Sequence, residues 1–339
     1  MAVLSARNPT LLDLATRADP TGKIMTIAEI LNEENRILDD MTWVEGNLPT
    51  GHLTTIRTGL PSATWRKYYG GIQSDKSETA QVVHKTGMLR ALAEIDADLA
   101  DLNGNTAEFR MSESRAFLEA MSQEMADTLF FGNESSEPEA FTGLAAHYNS
   151  LSAESGDNVI VDAQGTADNS IWLIVWGPET IFGIVPKGSS AGLAMKDYGR
   201  VMIEDASEGS NTGRMEAYRT LFRWDAGLCV KDWRYAVRVQ VDYGDIVTTF
   251  NAGAFASSAN LPDLMVQAMR RIPNLSRGRP VFYMSRDMAT KLMQQTAAMG
   301  NANFVSAANV RGDMNWAESF AGIPVKRCDV LAATETEIS

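Results

Sequence analysis

Apolar positions recur every three or four residues through Ser112–Phe131, where Leu118, Met121, Met125 and Leu129 make one stripe, and this spacing predicts a long helix. Ser112 is placed to cap it, Glu113 complements the partial positive charge of its first turn, and Gly132 can end it. Beyond it the pattern becomes that of strands. Runs rich in Trp, Val and Ile at Ile171–Trp176, Ile181–Val185, Tyr218–Trp224 and Trp233–Val241, separated by Gly, Asn and Asp turns, predict a sheet. The last third alternates: a Met-rich helix over Pro262–Arg271, a strand over Pro280–Met284, a helix over Arg286–Met299 and a final strand near Ile323–Lys326. This mixture belongs to the α+β class. No internal repeat or low-complexity tract interrupts it.

Two segments ahead of the long helix have no core of their own. Residues 1–44 hold short amphipathic pieces such as Ile24–Leu31, broken by Pro9, Pro20 and Gly22, and read as an arm that packs on a partner or on the chain's own body. Glu45–Lys85 reads as a Thr-rich, two-stranded extension. Its strand content comes from Thr54, Thr55, Ile56 and Thr58, from Thr64, Trp65, Tyr68 and Tyr69, and from Val82 and Val83, with turns at Gly59, Pro61, Gly70 and Gly71. Neither face carries enough apolar surface to bury against itself, so the extension must lie on something else, and a neighbouring copy of the chain is the expected support.

Charge sharpens that expectation. Between 51 and 87 there are five basic residues (Arg57, Arg66, Lys67, Lys76 and Lys85) against two acids, whereas 90–139 holds twelve acids against three arginines. A basic extension beside an acidic block, in a repeated chain, points to docking of the first on the second in a neighbour; Arg57, Arg66, Lys67 and Lys76 are the candidate contact residues. The whole chain, 339 residues with a net charge of -13, is poorly suited to gripping nucleic acid, which needs a concentrated basic surface. Cys229 and Cys328 lack a disulfide framework or metal-binding spacing, so buried thiols in a reducing compartment are expected. The N-terminus has no signal-peptide core, and the longest apolar run, Ile171–Trp176, is too short to span a bilayer, so neither export by that route nor a membrane anchor is expected.

Patterns that carry chemistry fail on inspection. Gly188-Ser189-Ser190-Ala191-Gly192 fits the G-x-S-x-G nucleophile elbow, but that fold needs a histidine after the serine, and His52, His84 and His147 all precede it. Asp96-x-Asp98-x-x-Asp101-x-Asn103-Gly104 has Ala100 where a calcium loop needs an oxygen ligand, so it reads as an acidic helix ending at a turn. The histidines have no second ligand at helical or strand spacing, and no P-loop or dinucleotide fingerprint is present. Neither a metal nor a cofactor is expected. Trp172, Trp176, Trp224 and Trp233 alternate with Val and Ile as core residues do, although a Trp-rich sheet also suits a carbohydrate-binding module or a soluble α+β enzyme, the rival reading.

WVEGNLPTGHLTTIRTGLP at 43–61, ADLNGNTAEFRMSESRAFLEAMSQEMADTLFFGN at 100–133, FTGL at 141–144, SIWLIVWGPETIFGIVPKGSSAGL at 170–193, EAYRTLFRWDAGLCVKDWRYAVRV at 216–239 and FAGIPVKRCDVL at 320–331 together resemble the major capsid proteins of tailed phages, of the Hong Kong 97 type, short-tailed branch. The resemblance implies an N-terminal arm over 1–45, an extended loop over 46–87 reaching across a neighbour, a peripheral domain over 88–250 with a spine helix at 112–131 and a sheet at 170–241, and an axial domain over 251–339. The family places its sheet strands after the axial domain, so the resemblance leaves a permuted order open, with the boundary near 250. It also implies hexamers and pentamers closing into an icosahedral virion shell around double-stranded DNA, assembled in the host cytoplasm with a separate scaffolding protein, a portal protein and, in some shells, a decoration protein. Some members join subunits by a Lys to Asn bond. Lys67 and Lys76 are the candidate donors in the loop, but no motif marks an Asn or Glu partner, so non-covalent assembly without catalytic residues is expected.

Overall fold

The computed structural model describes residues 33, 35–104, 106–162, 168–189, 191–204, 213–246, 260–298, 305–308, 317–332, 335, 336 and 338. The Ile24–Leu31 piece, Ser190 of the elbow pattern and Met299 lie outside them. In chain order come helix α1 (Ile37–Asp40), strands β1 (Trp43–Glu45), β2 (Gly51–Gly59), β3 (Glu78–Lys85) and β4 (Gly87–Asp96), and helices α2 (Ala97–Asp101), α3 (Thr106–Phe131) and α4 (Leu144–His147). Strands β5 (Val159–Asp162), β6 (Asp168–Trp176), β7 (Ile181–Val185), β8 (Leu193–Glu204), β9 (Arg214–Val230) and β10 (Ala236–Asp242) follow. Helix α5 (Leu261–Arg271), strand β11 (Arg279–Met284), helix α6 (Arg286–Ala298) and strands β12 (Val305–Ala308), β13 (Ala317–Phe320) and β14 (Ile323–Arg327) complete the chain. The contacts divide it into two units, one of Met1–Asn35, Met88–Asp127 and Gly192–Asp225, the other of Arg36–Gly87, Thr128–Ala191 and Ala226–Ser339.

In the first unit β8 and β9 form a long antiparallel hairpin, from Leu193 opposite Trp224 to Glu204 opposite Arg214, and β4 lies beside β9. Leu89, Ala91 and Ala93 of β4 pack with Phe222 of β9 and with Phe117 and Met121 of the long helix, and Phe117 stacks on Phe222 at 5.9 Å. The helix begins at Thr106 rather than at the expected Ser112, which therefore sits in its interior and cannot cap it. The added turns are held because Phe109 is fully buried with Ile95 and Ala100, and the Thr106 hydroxyl donates to Asp101 at 2.7 Å. Leu118 stands at the exposed edge of the predicted stripe, while Met121 is buried.

In the second unit β6 runs between β10 and β11, antiparallel to both, and β14 lies parallel to β11 beyond it. Both faces of this sheet are covered. Ile171, Leu173 and Val175 meet Leu264 and Met265 of α5 and Met288 and Leu292 of α6. On the other face Trp172 packs against Phe130 and Tyr148, with ring centroids 6.2 and 5.8 Å apart, and the Trp176 indole donates to the Tyr283 hydroxyl at 2.8 Å. Strands β10 and β11, which stand on opposite sides of residue 250 in sequence, thus share one sheet and one core. Trp172 and Trp176 are fully buried, so the platform that a sugar-binding reading requires is not formed by them. The chain's tail is anchored here too: Glu335 pairs with the buried Arg238, whose guanidinium also donates to Ser170 Oγ at 3.0 Å and to the Tyr148 carbonyl at 2.9 Å.

Candidate assembly surfaces

The extension leaves the second unit as a two-stranded ribbon. Its strands β2 and β3 pair in register from Gly51 opposite Lys85 out to Gly59 opposite Glu78, with a break between Arg57 and Gly59. The root is built for close approach. A side chain at Gly51 would place Cβ 2.1 Å from the His84 carbonyl oxygen, and one at Gly227 would place it 2.6 Å from that of Lys85. Asn47 closes the entry by bonding both ways with the Leu53 backbone: its amide donates to the carbonyl at 2.9 Å and its Oδ1 accepts from the N–H at 2.7 Å. Just ahead, β1 lies parallel to β7, and the buried Asp40 accepts from Lys326 at 2.6 Å and from the Tyr283 hydroxyl at 2.9 Å.

Residues 60–77 form no strand, which corrects the expectation that Thr64, Trp65, Tyr68 and Tyr69 supply strand content. The tip is instead tied by Asp75, whose carboxylate accepts from Ser62 N–H at 2.7 Å, from the Ser62 hydroxyl at 2.8 Å and from Lys76 N–H at 2.8 Å. Those bonds, the Ser62 backbone first, hold its carboxyl below the ordinary range. A turn closes with Gly70 N–H on the Lys67 carbonyl at 3.0 Å, and Tyr69 sits at φ 62, a left-handed conformation uncommon for a tyrosine. Trp65, Tyr68 and Tyr69 are 104%, 96% and 103% exposed, and Leu60 and Ile72 stand open beside them. So many large apolar groups open to water on one short segment is an uncommon feature of a monomeric surface.

The candidate cations are spread along the ribbon. Arg57 lines a cleft of about 500 Å³ together with Glu154, Arg277 and the Lys231–Glu179 and Arg234–Asp232 ion pairs. Arg66 donates to the Gly70 carbonyl at 2.8 Å within the tip, beside Lys67, and Lys76 follows Asp75. None of the four forms an ion pair with a described carboxylate. Lys85 does, with Glu134. The acidic block is also partly satisfied within the chain: Glu94 pairs with Arg219 at 2.6 Å and Asp101 with Arg200. The tip aromatics are readable in the sequence as large rings set among Pro61, Gly70 and Gly71 without apolar alternation.

The other patterns find structural roles. Gly188, at φ 81, turns the chain, and its N–H donates to Glu45 at 2.8 Å. Asp96 caps α2 by accepting from Asp98 N–H at 2.9 Å. Cys229 and Cys328 are buried, and burial pushes both thiols up to about 12. The histidines, unrelated in sequence, come together at the ribbon's root: His52 lies opposite His84, and the His84 and His147 rings are 6.1 Å apart. Among the described residues no group of three or more ligating side chains is arranged to hold a metal, and no described helix is long and apolar enough to cross a membrane.

The family model of major capsid protein GP7 matches residues 19–339. Among solved structures, a chain of the near-atomic-resolution cryo-electron-microscopy structure of bacteriophage Epsilon15 is 31% identical and superposes with a TM-score of 0.75, covering 100% of this chain and 99% of that one. The bacteriophage JBD30 capsid is similar at 10% identity and a TM-score of 0.47, over 91% of this chain and 96% of that one. No curated protein matches the chain. A ribbon without a core, an aromatic tip left open to solvent, a long helix packed on β4 and β9 and a family match along nearly the whole length lead to one conclusion: the chain belongs to the major capsid protein GP7 family and, with its Hong Kong 97-like fold, is a structural subunit of an icosahedral phage capsid shell.

Proposed function

We propose that the 46–87 ribbon is the principal inter-subunit clamp of this shell, laid across a neighbouring copy with Trp65, Tyr68 and Tyr69 as its anchors and Arg57, Arg66, Lys67 and Lys76 pairing with that neighbour's carboxylates. The observation that carries this reading is the full exposure of three aromatic rings on a tip whose backbone is nonetheless tied by Asp75. An ordered apolar tip costs free energy in an isolated subunit and is recovered only by burial against another surface. In the same reading residues 1–45 form the arm, 88–250 the peripheral domain and 251–339 the axial domain, the last two joined through the sheet that contains β10, β6 and β11.

The subunits make hexamers and pentamers held without covalent bonds, cofactor or catalysis, since the chemistry of assembly is burial and pairing. Closed symmetry and the simultaneous engagement of arm and ribbon convert modest contacts into a stable shell. A scaffolding protein sets curvature, a portal protein occupies one vertex, and a decoration protein can seat on the finished lattice, with assembly in the host cytoplasm. A chain with a net charge of -13 leaves enclosed double-stranded DNA loosely held, without sequence readout. Light scattering with negative-stain electron microscopy, on the chain alone and with its scaffold, tests this. Megadalton shells or capsomer rings are expected; a persistent monomer in both conditions overturns it.

A further inference from the structure

The chain has three histidines, and all three meet where the ribbon joins the sheet. His52 and His84 face each other across the two strands, His147 of α4 lies beside His84, and the His52 ring meets Phe182 of β7 edge-on at 5.6 Å. His52 Nδ1 and His147 Nε2 are buried with no hydrogen-bond partner. We propose that these three imidazoles form a protonation-sensitive joint, which holds the root of the ribbon closed while they are neutral and frees it when they become charged.

Among the described residues no carboxylate is one of the charged groups acting on the three rings. From β3, Lys85 is already paired with Glu134; just beyond the end of β9, Lys231 is paired with Glu179 at 2.6 Å, and Cys229 of β9 is a buried neutral thiol; β7 contributes Phe182. The charged groups acting on the rings are cationic, Lys231 on His52 and the other two histidines on His84, so each proton gained makes the next less favourable. Burial lowers all three, and His84 is pushed down to about 4. An opened root returns the rings to water and to the ordinary value of 6.5. The open form therefore binds more protons, so the closed form is fully favoured above pH 6.5 and loses ground as pH falls toward 4. His84 alone raises the open population about 30-fold at pH 5 and about 160-fold at pH 4. The sheet core in Ile171–Trp176 contains no histidine and keeps its protection.

This joint depends on the root's own packing and not on what the tip touches, so it can fail while the shell reading stands. The experiment uses the full, unassembled chain. Hydrogen exchange read by mass spectrometry, corrected for the intrinsic pH dependence, is followed from pH 7.5 to 4.5 in peptides covering 46–57 and 79–88, with 170–176 as the internal reference. Imidazole resonances of the three histidines are titrated by NMR in parallel. Root opening that rises about 30-fold by pH 5 while the reference stays flat, with His84 titrating well below 6.5 and the response flattened in His84→Gln, is the expected result. A root as protected at pH 5 as the reference, an unchanged acid response in His84→Gln, or a His84 resonance titrating near 6.5 in the wild-type chain overturns the proposal. The wild-type titration decides the matter even if the variant does not fold.

Discussion

Replacing Trp65, Tyr68 and Tyr69 together by alanine separates assembly from folding. All three rings are fully exposed in the subunit, so their removal takes away no described intramolecular packing, and subunit stability is expected to change by no more than about 0.5 kcal/mol. Docked on a neighbour, each ring offers ~150–250 Å² for burial, a gross transfer of about 4–6 kcal/mol. Ordering and desolvation reduce this to the ~2–4 kcal/mol typical of an aromatic anchor. Three anchors at the low end sum to about 6 kcal/mol, roughly four orders of magnitude in the affinity of a single tip contact. Urea unfolding should therefore superimpose on the wild type while light scattering shows loss of particles at any ordinary concentration. The companion variant, with Arg57, Arg66 and Lys67 reversed to glutamate, acts through exposed pairs worth up to about 1 kcal/mol each, so it should raise the protein concentration needed for shells in a salt-dependent way. Normal particle yield from the aromatic triple would refute the anchor argument, and normal yield from the reversed triple at low salt would refute the electrostatic part.

The C-terminal tail gives a stability test: with side chains only 6% and 5% exposed, the Arg238–Glu335 pair should lose about 3–5 kcal/mol when Arg238 is changed to Met, read as a lower urea midpoint, because the partner charge is stranded. Gly143→Ala should cost ~1–3 kcal/mol, since the new Cβ would stand 2.5 Å from the Thr128 carbonyl oxygen; an unchanged melting temperature would contradict the close packing at the end of α3. Cys229 and Cys328, buried with thiols pushed up to about 12, should resist alkylation at pH 8 in the folded chain and react on unfolding; labelling followed by mass spectrometry checks both at once.

Most of the architecture was legible wherever a single period ran long enough. The strands around Ile171–Trp176 and Ile181–Val185, the helices near Pro262 and Arg286 and the core role of Trp172 and Trp176 follow directly from apolar runs and helical spacing. Strand β4 was hidden because its residues, Met88-Leu89-Arg90-Ala91-Leu92-Ala93-Glu94, are helix formers by propensity; only the alternation of Leu89, Ala91 and Ala93 toward Phe222 makes them a strand. The start of α3 was misplaced for a related reason: Phe109 is buried against α2, a contact no local pattern announces. Along the ribbon the cations are visible as a charge imbalance, whereas aromatic content, which favours strands on average, predicts strand at the tip where the chain forms none. The histidine cluster was invisible in principle, since strand register and a helix far along the chain bring its members together.

The ribbon thus has two ends with opposite physics. Its root is set by backbone approaches that tolerate no side chain at Gly51 or Gly227 and by imidazoles whose burial disfavours their charged form. Its tip is ordered by Asp75 yet keeps its largest apolar groups in water. A rigid root lowers the entropy lost when the tip docks, because the rings arrive already oriented, and that makes each contact stronger than a floppy loop of the same composition could achieve. The same rigidity transmits strain: when neighbours in a lattice shift, a clamp that cannot bend at its tip must yield at its root. The three imidazoles gather at that root, so changes in subunit geometry should localise there rather than in the Trp-rich sheet, which contains no histidine.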